Sequence, residues 1–403
     1  MALTDFKPQF DNAYQEVFQK TLVAKEIANT RFEPVLKYGE SIERVAFDIS
    51  GVQVRDTVRG SASTIDSVTD SSELLEVNIE KEAVFHISDG EVKQAGPLNP
   101  GEKIGAEVGM KVAISLDARV FAEVRNALYN FDNGDLTTTS STGVGITLNI
   151  TTVPQLVSRM GAKLKFRNNQ LVTTNMCLVV DSYAASDVTQ YLLGKNIDLA
   201  GYTFKNGYTG DVSNAQLYTS ENLTGEAVLS LATNVTAGDT ISVNGVVFTA
   251  RAIPSVAGEF DIGASADATR AIIANAINGS STGQNSATGY FEVSAANRAI
   301  LTNAGIVATN DDTANTLTLI GTGSGRLTVS ETLTDGTDAW TLNIIHAYYG
   351  KKGAIDLVVQ DMKEVDMRPT ADRRGTNVFS SYLAGVKTFA DGSKKFLDVW
   401  INA

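Results

Sequence analysis

Two histidines, His86 and His346, and one cysteine, Cys177, are all the imidazole and thiol in the 403-residue chain. A Ser-His-Asp relay needs an imidazole within hydrogen-bond reach of a nucleophile. His86 falls on the polar side of an alternating segment, and His346 sits among Ile344, Ile345, Ala347 and Tyr348. Both read as structural residues. Cys177 lies inside the apolar run Met176–Val180 with no flanking base, the setting of a packed thiol rather than a nucleophile. One cysteine excludes an intramolecular disulfide framework and a multi-cysteine zinc site. Two histidines exclude a histidine-rich metal centre.

The glycine-rich stretches fare no better as phosphate cradles. Gly96-Pro-Leu-Asn-Pro-Gly101-Glu-Lys runs into a helical pattern, but Glu102 stands where a phosphate loop needs lysine. Pro97 and Pro100 also remove two backbone donors. Gly321-Thr-Gly-Ser-Gly325 has no helix after it, so it reads as a turn between strands. Gly279-Ser-Ser-Thr-Gly283 matches the nucleophile-elbow spacing. It follows a helix and enters a polar loop, the reverse of what an elbow needs. Asp311-Asp312 lacks the alternating acidic spacing of a calcium loop. Arg368, Arg373 and Arg374 cluster around Pro369 and Asp372, as a solvated surface or an intersubunit salt-bridge loop. No catalytic constellation and no cofactor or metal site survives, so the chain reads as a non-enzyme.

The elements around these residues carry more information. Hydrophobic residues make up 43% and charged residues 20% of the chain, the mixture of an ordered globular protein. The net charge is −13, the wrong sign for a protein that lives by neutralising phosphate. No apolar run approaches the ~20 residues that span a bilayer, and Met-Ala-Leu-Thr-Asp-Phe-Lys-Pro at the start has no signal-like apolar core. These features predict a soluble, acidic protein made inside the cell.

Residues 9–29 read as an amphipathic helix, with Phe10, Tyr14, Val17, Phe18 and Leu22 recurring at three- and four-residue steps. Residues 41–95 change period. Val45, Phe47 and Ile49 alternate, as do Leu75, Val77, Ile79, Ala83, Phe85 and Ile87. The pattern predicts two strands joined by a long polar tip that includes Arg55 and Arg59. An isolated two-stranded hairpin is marginal in water, so this one is expected to rest on another surface. From 102 to 131, Ile104, Val108, Val112, Leu116, Val120, Val124 and Leu128 recur every four residues. A strict four-residue repeat drifts ~40° per step around a helix, which predicts a long spine passing from one neighbour to the next. Gly105 and Gly109 weaken its first turns.

Gln155–Lys163 reads as a helix, Met176–Val180 as a buried strand and Tyr183–Leu193 as a helix capped by Asp181-Ser182. Asn206–Leu223 is strand-like. Residues 225–340 then change composition, with four arginines, no lysine and eleven acids. Ala237–Thr249 predicts a hairpin turning at Asn244-Gly245. Ser265–Asn278 predicts a helix with Ser265 as cap and Gly279 just beyond the end. This segment reads as a small α+β domain inserted into a larger one. Ile355–Met367 alternates again, and Asn377–Ala390 with Lys394–Asn402 predicts a closing hairpin across Asp391-Gly392-Ser393.

The order of these elements resembles the major capsid protein of tailed bacteriophages, the Hong Kong 97-type fold shared with encapsulins. The stretch Asn206-Gly-Tyr-Thr-Gly-Asp-Val to Ser220-Glu-Asn-Leu223 is similar to one in that family, as are Arg373-Arg-Gly-Thr-Asn-Val378 and Tyr382-Leu-Ala-Gly-Val-Lys387. The resemblance implies an α+β fold with an N-terminal arm (1–40) and an E-loop hairpin (41–95). A spine helix and peripheral domain (96–153) and the first part of an axial domain (154–224) follow. The insertion (225–340) falls on the outer surface, and 341–403 returns to the axial domain and closing peripheral strands. It further implies a virion protein, made in the bacterial host cytoplasm, whose hexamers and pentamers close an icosahedral shell around double-stranded DNA. The partners it implies are other copies of the chain, a separate scaffolding protein and a portal, a cement or decoration protein, and weak non-specific contact with DNA on the inner face. No membrane is among them. No long cleavable N-terminal scaffolding segment is expected. Phe10, Tyr14, Phe18, Arg55, Arg59, Arg368, Arg373 and Arg374 are the expected intersubunit contacts. The competing readings are an encapsulin-like shell or tail component, a glycan-binding protein acting through 225–340, and a hydrolase dependent on one of the histidines.

Overall fold

The computed structural model describes residues 10, 12–14, 16, 22–34, 40–48, 52, 55–56, 65–88, 100–137, 141–168, 174–193, 208–212, 215–334, 337–362, 366–369 and 374–403. Helices combine with mostly antiparallel sheets, the α+β class expected from the sequence. The chain divides into two units. One comprises residues 1–19, 27–112 and 353–395, the other 20–26, 113–352 and 396–403.

In the first unit, β1 (Ser41–Asp48) pairs antiparallel with β2 (Thr69–Glu76), Ser41 opposite Glu76 and Asp48 opposite Thr69. The expected single strand from Leu74 to Ile87 is in fact two. β2 ends at Glu76, the Val77 amide closes the hairpin onto Glu40 O, and β3 (Ile79–Ile87) leaves to pair with β18 (Thr376–Lys387). The alternation runs unbroken through the change of partner, because it reports which face a side chain takes and not which strand lies alongside. β18 is the centre of a four-stranded sheet, with β3 on one edge and β16 (Asp356–Met362) and β17 (Asp366–Pro369) on the other.

The expected closing hairpin is also corrected. Asp391-Gly392 lies in a helical turn, α7 (Ala390–Ser393), in which the Ser393 amide bonds to Phe389 O. The next strand, β19 (Phe396–Asn402), does not pair with β18 and joins the other unit's sheet. Phe389 is fully buried, and a Cβ on Gly392 would lie 2.3 Å from Ala354 O. Packing holds this turn in a form that a two-residue hairpin cannot take.

The spine is shorter than its repeat suggested. It comprises α2 (Pro100–Ala122), a 3-10 turn (Glu123–Asn126) and β4 (Tyr129–Phe131). Ile104 and Val108 are half-buried, Val112, Leu116, Val120 and Val124 are buried and Leu128 is exposed. Residues 10, 12–14 and 16 are helical, and Phe10 and Tyr14 are buried. Gly105 and Gly109 have a tertiary reason. A Cβ on Gly105 would lie 2.6 Å from Phe10 O, and one on Gly109 would lie 2.7 Å from Tyr14 O. Two four-residue steps, one on each segment, bring the backbones to a distance that only glycine allows.

The second unit is built on β15 (Ala339–Lys351). One edge of β15 pairs first with β8 (Thr224–Ser230) and then with β5 (Met176–Val180), and the other pairs with β19. β13 (Thr316–Gly321) and β12 (Ile306–Asp311) extend the sheet beyond β8. β7 (Ala215–Thr219) and β6 (Tyr208–Val212) extend it beyond β5, and β4 runs parallel to β19. α3 (Thr152–Arg167) and α4 (Ser182–Leu193) pack on this sheet in one core with Leu178, Ala347, Leu397 and Val399.

A separate core unites Ala227, Leu229, Phe248, Phe260, Ile273, Tyr290 and Leu319. It includes a second sheet ordered β11 (Glu259–Asp261), β10 (Val246–Arg251), β9 (Thr240–Val243), β14 (Val329–Glu331). Asn244 and Gly245 turn the β9–β10 hairpin with positive φ. α5 (Ala266–Asn278) starts with Ser265 Oγ accepting from the Ala268 amide and ends at Gly279 with φ 64°. From its last residue, the Asn278 side chain donates to Ala308 O and accepts from Ala308 N, both at 2.8 Å, along the outer edge of β12.

Gly109→Ala should destabilise the protein by about 1–3 kcal/mol, because the forced separation from Tyr14 outweighs the ~1 kcal/mol gain in helix propensity. Denaturant unfolding measures this, with trypsin cleavage at Lys20 and Lys25 as a second readout. An unchanged midpoint would show that the arm is not seated on Gly109.

Candidate assembly surfaces

One face of the β1–β2 hairpin is fixed to its own chain. Leu75 is buried and Ile42 packs with Val77, Val358 and Phe389. Arg44 pairs with Asp391 at 2.7 Å and lies 5.0 Å over the Phe389 ring. The Glu73 carboxylate accepts from the Ala390 amide at 3.0 Å. The other face is left open. Val45 is 52% exposed, Leu74 44% and Val68 52%, and Ile65 nearer the tip is 93% exposed. Exposed apolar side chains on an extended element, here set among exposed Glu43, Asp70 and Ser72, make a candidate contact surface. Sequence alternation placed Val45 with Phe47 and Ile49 on the face expected to be half-buried; in the structure Val45 is exposed and the Ile42–Leu75 side is the covered one.

The expected contact residues divide into three groups. Phe10 and Tyr14 are covered by this chain's own helix α2, with Phe85 5.9 Å from Phe10 and the Phe10 and Tyr14 rings 6.1 Å apart. Arg55 forms a two-pronged pair with Asp66 at 2.7 and 2.8 Å. Arg368 pairs with Asp366 and stacks over Phe379 while staying largely exposed, and Arg374 is exposed. Phe18, Arg59 and Arg373 lie outside the described residues. Among the five described residues, the contacts fall at separate places and not in one site.

The groups with catalytic potential are committed elsewhere. His346 is buried in the second unit between two carboxylates. Its Nδ1 donates to Asp398 at 2.8 Å and its Nε2 to Glu226 at 3.2 Å. Arg125 pairs with the same Glu226 oxygen at 2.8 Å, and Trp400 Nε1 donates to Asp398 at 2.9 Å. Burial opposes protonation, but the two carboxylates outweigh it and raise the imidazole to about 9. His346 and Arg125 in turn hold Glu226 below its usual range, against the opposing effect of burial. An imidazolium with both nitrogens engaged has no lone pair for base catalysis. Burial pushes the Cys177 thiol up to about 12, far from a thiolate nucleophile. His86 donates from Nδ1 to its cross-strand neighbour Asn377 at 2.9 Å. An open cavity of about 530 Å³ at the hairpin base is lined by Glu40, Ser41, Glu76, Asn78 and Gln360 among others, and among the described residues no histidine lines it and the Ser41 hydroxyl makes no hydrogen bond to either glutamate. Gly279 caps α5, and Gly323 and Gly325 take positive φ in a turn after β13. Among the described residues no group of three or more His, Cys, Asp or Glu could hold a metal ion, and no helix is long and apolar enough to cross a membrane.

The His346 network sets a pH dependence. A histidine raised above its unfolded value of 6.5 stabilises the fold fully below that value and loses the contribution as pH climbs through about 9. The shift corresponds to about 3 kcal/mol. The melting temperature should therefore fall between pH 7 and 9.5, and His346→Gln should be less stable at pH 7 with a flatter profile. A wild-type profile as flat as the variant's over that range would show that the network does not carry the charge.

No protein-family model matches this chain, and no curated protein matches it. Solved structures are similar to it at low identity. One from Mycobacterium phage Ogopogo is 11% identical, covering 95% of this chain and 92% of its own, with a TM-score of 0.46. One from Mycobacterium phage Che8 is 13% identical, covering 93% and 90%, with a TM-score of 0.44. The capsid structure of the cyanophage P-SCSP1u is 12% identical, covering 94% and 86%, with a TM-score of 0.44.

Proposed function

We propose that this chain is the major capsid protein of a tailed bacteriophage, a structural protein that assembles into pentamers and hexamers of an icosahedral shell. The observation that carries the reading is the β1–β2 hairpin, anchored to its own chain on one face by Arg44 and Glu73. Its opposite face leaves Val45 and Leu74 open, and Val68 just before β2 is exposed as well. A monomer gains nothing from that face, whereas a neighbouring copy would remove it from water at roughly 25 cal/mol per Å². The order of arm, hairpin, long helix and two interleaved units supports the same reading. So does the commitment of both histidines and the cysteine to packing rather than catalysis. In this reading the arm contributes indirectly. Phe10 and Tyr14 fix α2, and intersubunit contact falls to the hairpin and to exposed arginines such as Arg368 and Arg374. A separate scaffolding protein, a portal and a decoration protein belong to the proposal through the family resemblance alone.

Residues 225–340 are read as a domain inserted into the shell-forming fold. Their core is separate from that under α3 and α4, and the Asp338 carboxylate ties the exit to the entry by accepting from the Ala232 and Thr233 amides. Ser230 and Ala339 are direct antiparallel partners, so a two-residue turn could join them.

Light scattering and negative-stain imaging of the purified protein test the shell reading, with closed shells or five- and six-membered rings as the expected result. Val45→Asp with Leu74→Asp should abolish that assembly while leaving the circular dichroism spectrum unchanged and the unfolding free energy within about 1 kcal/mol of the parent, since both side chains are exposed. A double variant that assembles normally would remove the hairpin from the interface. Replacing 231–338 by Asn-Gly should leave a folded, assembling chain. A deletion that folds with no choice of turn would argue that the segment is integral to the fold.

A further inference from the structure

The acidic chain has one conspicuous interruption. Between Asp135 and Asp181 there is no acidic residue, and the only charges are Arg159, Lys163, Lys165 and Arg167, all on α3. The helix is amphipathic in an unusual sense. Val153, Leu156, Met160 and Leu164 enter the core. Arg159, Ala162, Lys165 and Phe166 are exposed on the opposite side, Phe166 at 83%. Cations in a last helical turn do complement the helix dipole, which accounts for Lys165 and Arg167. The dipole does not account for Arg159 two turns earlier, or for a phenylalanine held in water between cations.

The flank of the helix repeats the pairing of cation with ring. Arg167 lies 5.8 Å over Tyr129 and Lys163 lies 5.6 Å over Phe131. Four residues along a helix and two along a strand both advance about 6 Å, so the α3 and β4 positions keep step. Asp135 engages Lys163 through its carboxylate, and its backbone carbonyl accepts from Arg159. The outermost positions, Lys165 and Phe166, face solvent.

We infer that this face of α3 is a nucleic-acid contact, its cations meeting backbone phosphates and Phe166 stacking on an unpaired base. The eight steps from Arg159 to Arg167 rise about 12 Å, the axial length of three to four phosphates of one strand at about 3.4 Å each. An acidic peptide would satisfy the charges alone, whereas a polyanion with aromatic faces uses the cations and the exposed ring together. The inference rests on charge and exposure and holds whether or not the chain closes into a shell.

The test is fluorescence anisotropy of a labelled 30-nucleotide oligo(dT) and of a duplex of equal length, titrated with unassembled full-length protein from 20 to 200 mM salt. Binding should weaken with salt with a log–log slope of about −2 to −3 for the single strand, as three to four phosphate contacts require. Arg159→Gln with Lys165→Gln and Arg167→Gln should lower affinity at least tenfold and flatten the slope by about 2. Phe166→Ala should weaken the single strand about tenfold and leave the duplex unchanged. Lys25→Gln with Lys81→Gln and Lys111→Gln, an equal loss of charge at exposed sites, should change little. Circular dichroism checks each fold, and Lys165→Glu alone is read if the triple variant unfolds. Absence of binding at 20 mM salt, equal competition by polyglutamate, or undiminished binding by the α3 variants would each overturn the inference. Because the protein is read unassembled, any of these outcomes leaves the shell reading standing.

Discussion

Backbone hydrogen bonding along β15 is the constraint on which the second unit depends. Both edges of a buried strand must find partners, since an orphaned amide or carbonyl costs as much as a lost hydrogen bond. Over thirteen residues β15 meets this in two ways. One edge is served in tandem by β8 and then β5, and the other by β19. The first half of the strand thereby belongs to the sheet of residues 225–340. The second half belongs to the core under α3 and α4. His346 sits at the changeover, opposite Thr224 on one side and Trp400 on the other. A charged imidazolium there is tolerated because carboxylates from both flanking strands reach it.

The first unit follows a different logic. Its four-stranded sheet satisfies β18 on both edges, yet the β1–β2 hairpin stands as a separate two-stranded sheet. Its hydrogen bonds are internal and its base is pinned by charge and by an aromatic ring. What remains open is side-chain surface, with Val45 and Leu74 set among Glu43, Asp70 and Ser72, and not the strands' paired backbone groups. A surface of that kind is stable enough to persist in a monomer and still gains from being covered, which suits a contact made after folding.

Features governed by neighbouring residues were legible in the sequence. Ser265 and Gly279 bound α5, and Asn244-Gly245 turns a hairpin, because capping and turn chemistry act over a few positions. Partner choice was not legible. Leu74–Ile87 alternates without interruption although β2 and β3 pair with different strands, and Asp391-Gly392 looks like a hairpin turn although β18 and β19 never meet. Gly105 and Gly109 looked like weak helix positions until Phe10 and Tyr14 were found against them. The partners of His346 lie 120 and 52 residues away, so an isolated histidine in an apolar run gave no sign of its charge. The basic face of α3 was present in the sequence as an acid-free stretch, but only the fold shows Phe166 left in water beside it.

Asn278 spans the outer edge of β12 at Ala308, donating with one side-chain atom and accepting with the other. A strand edge with free amides and carbonyls is a template for further strands. Here an amide side chain imitates one residue of a next strand and ends the series there. The safeguard is needed most where many identical molecules are crowded together, because every copy would offer the same template to every other. Termination at Asn278 keeps the β12 edge of the chain's largest sheet from growing from molecule to molecule at that point, so that association is turned toward surfaces whose geometry can close.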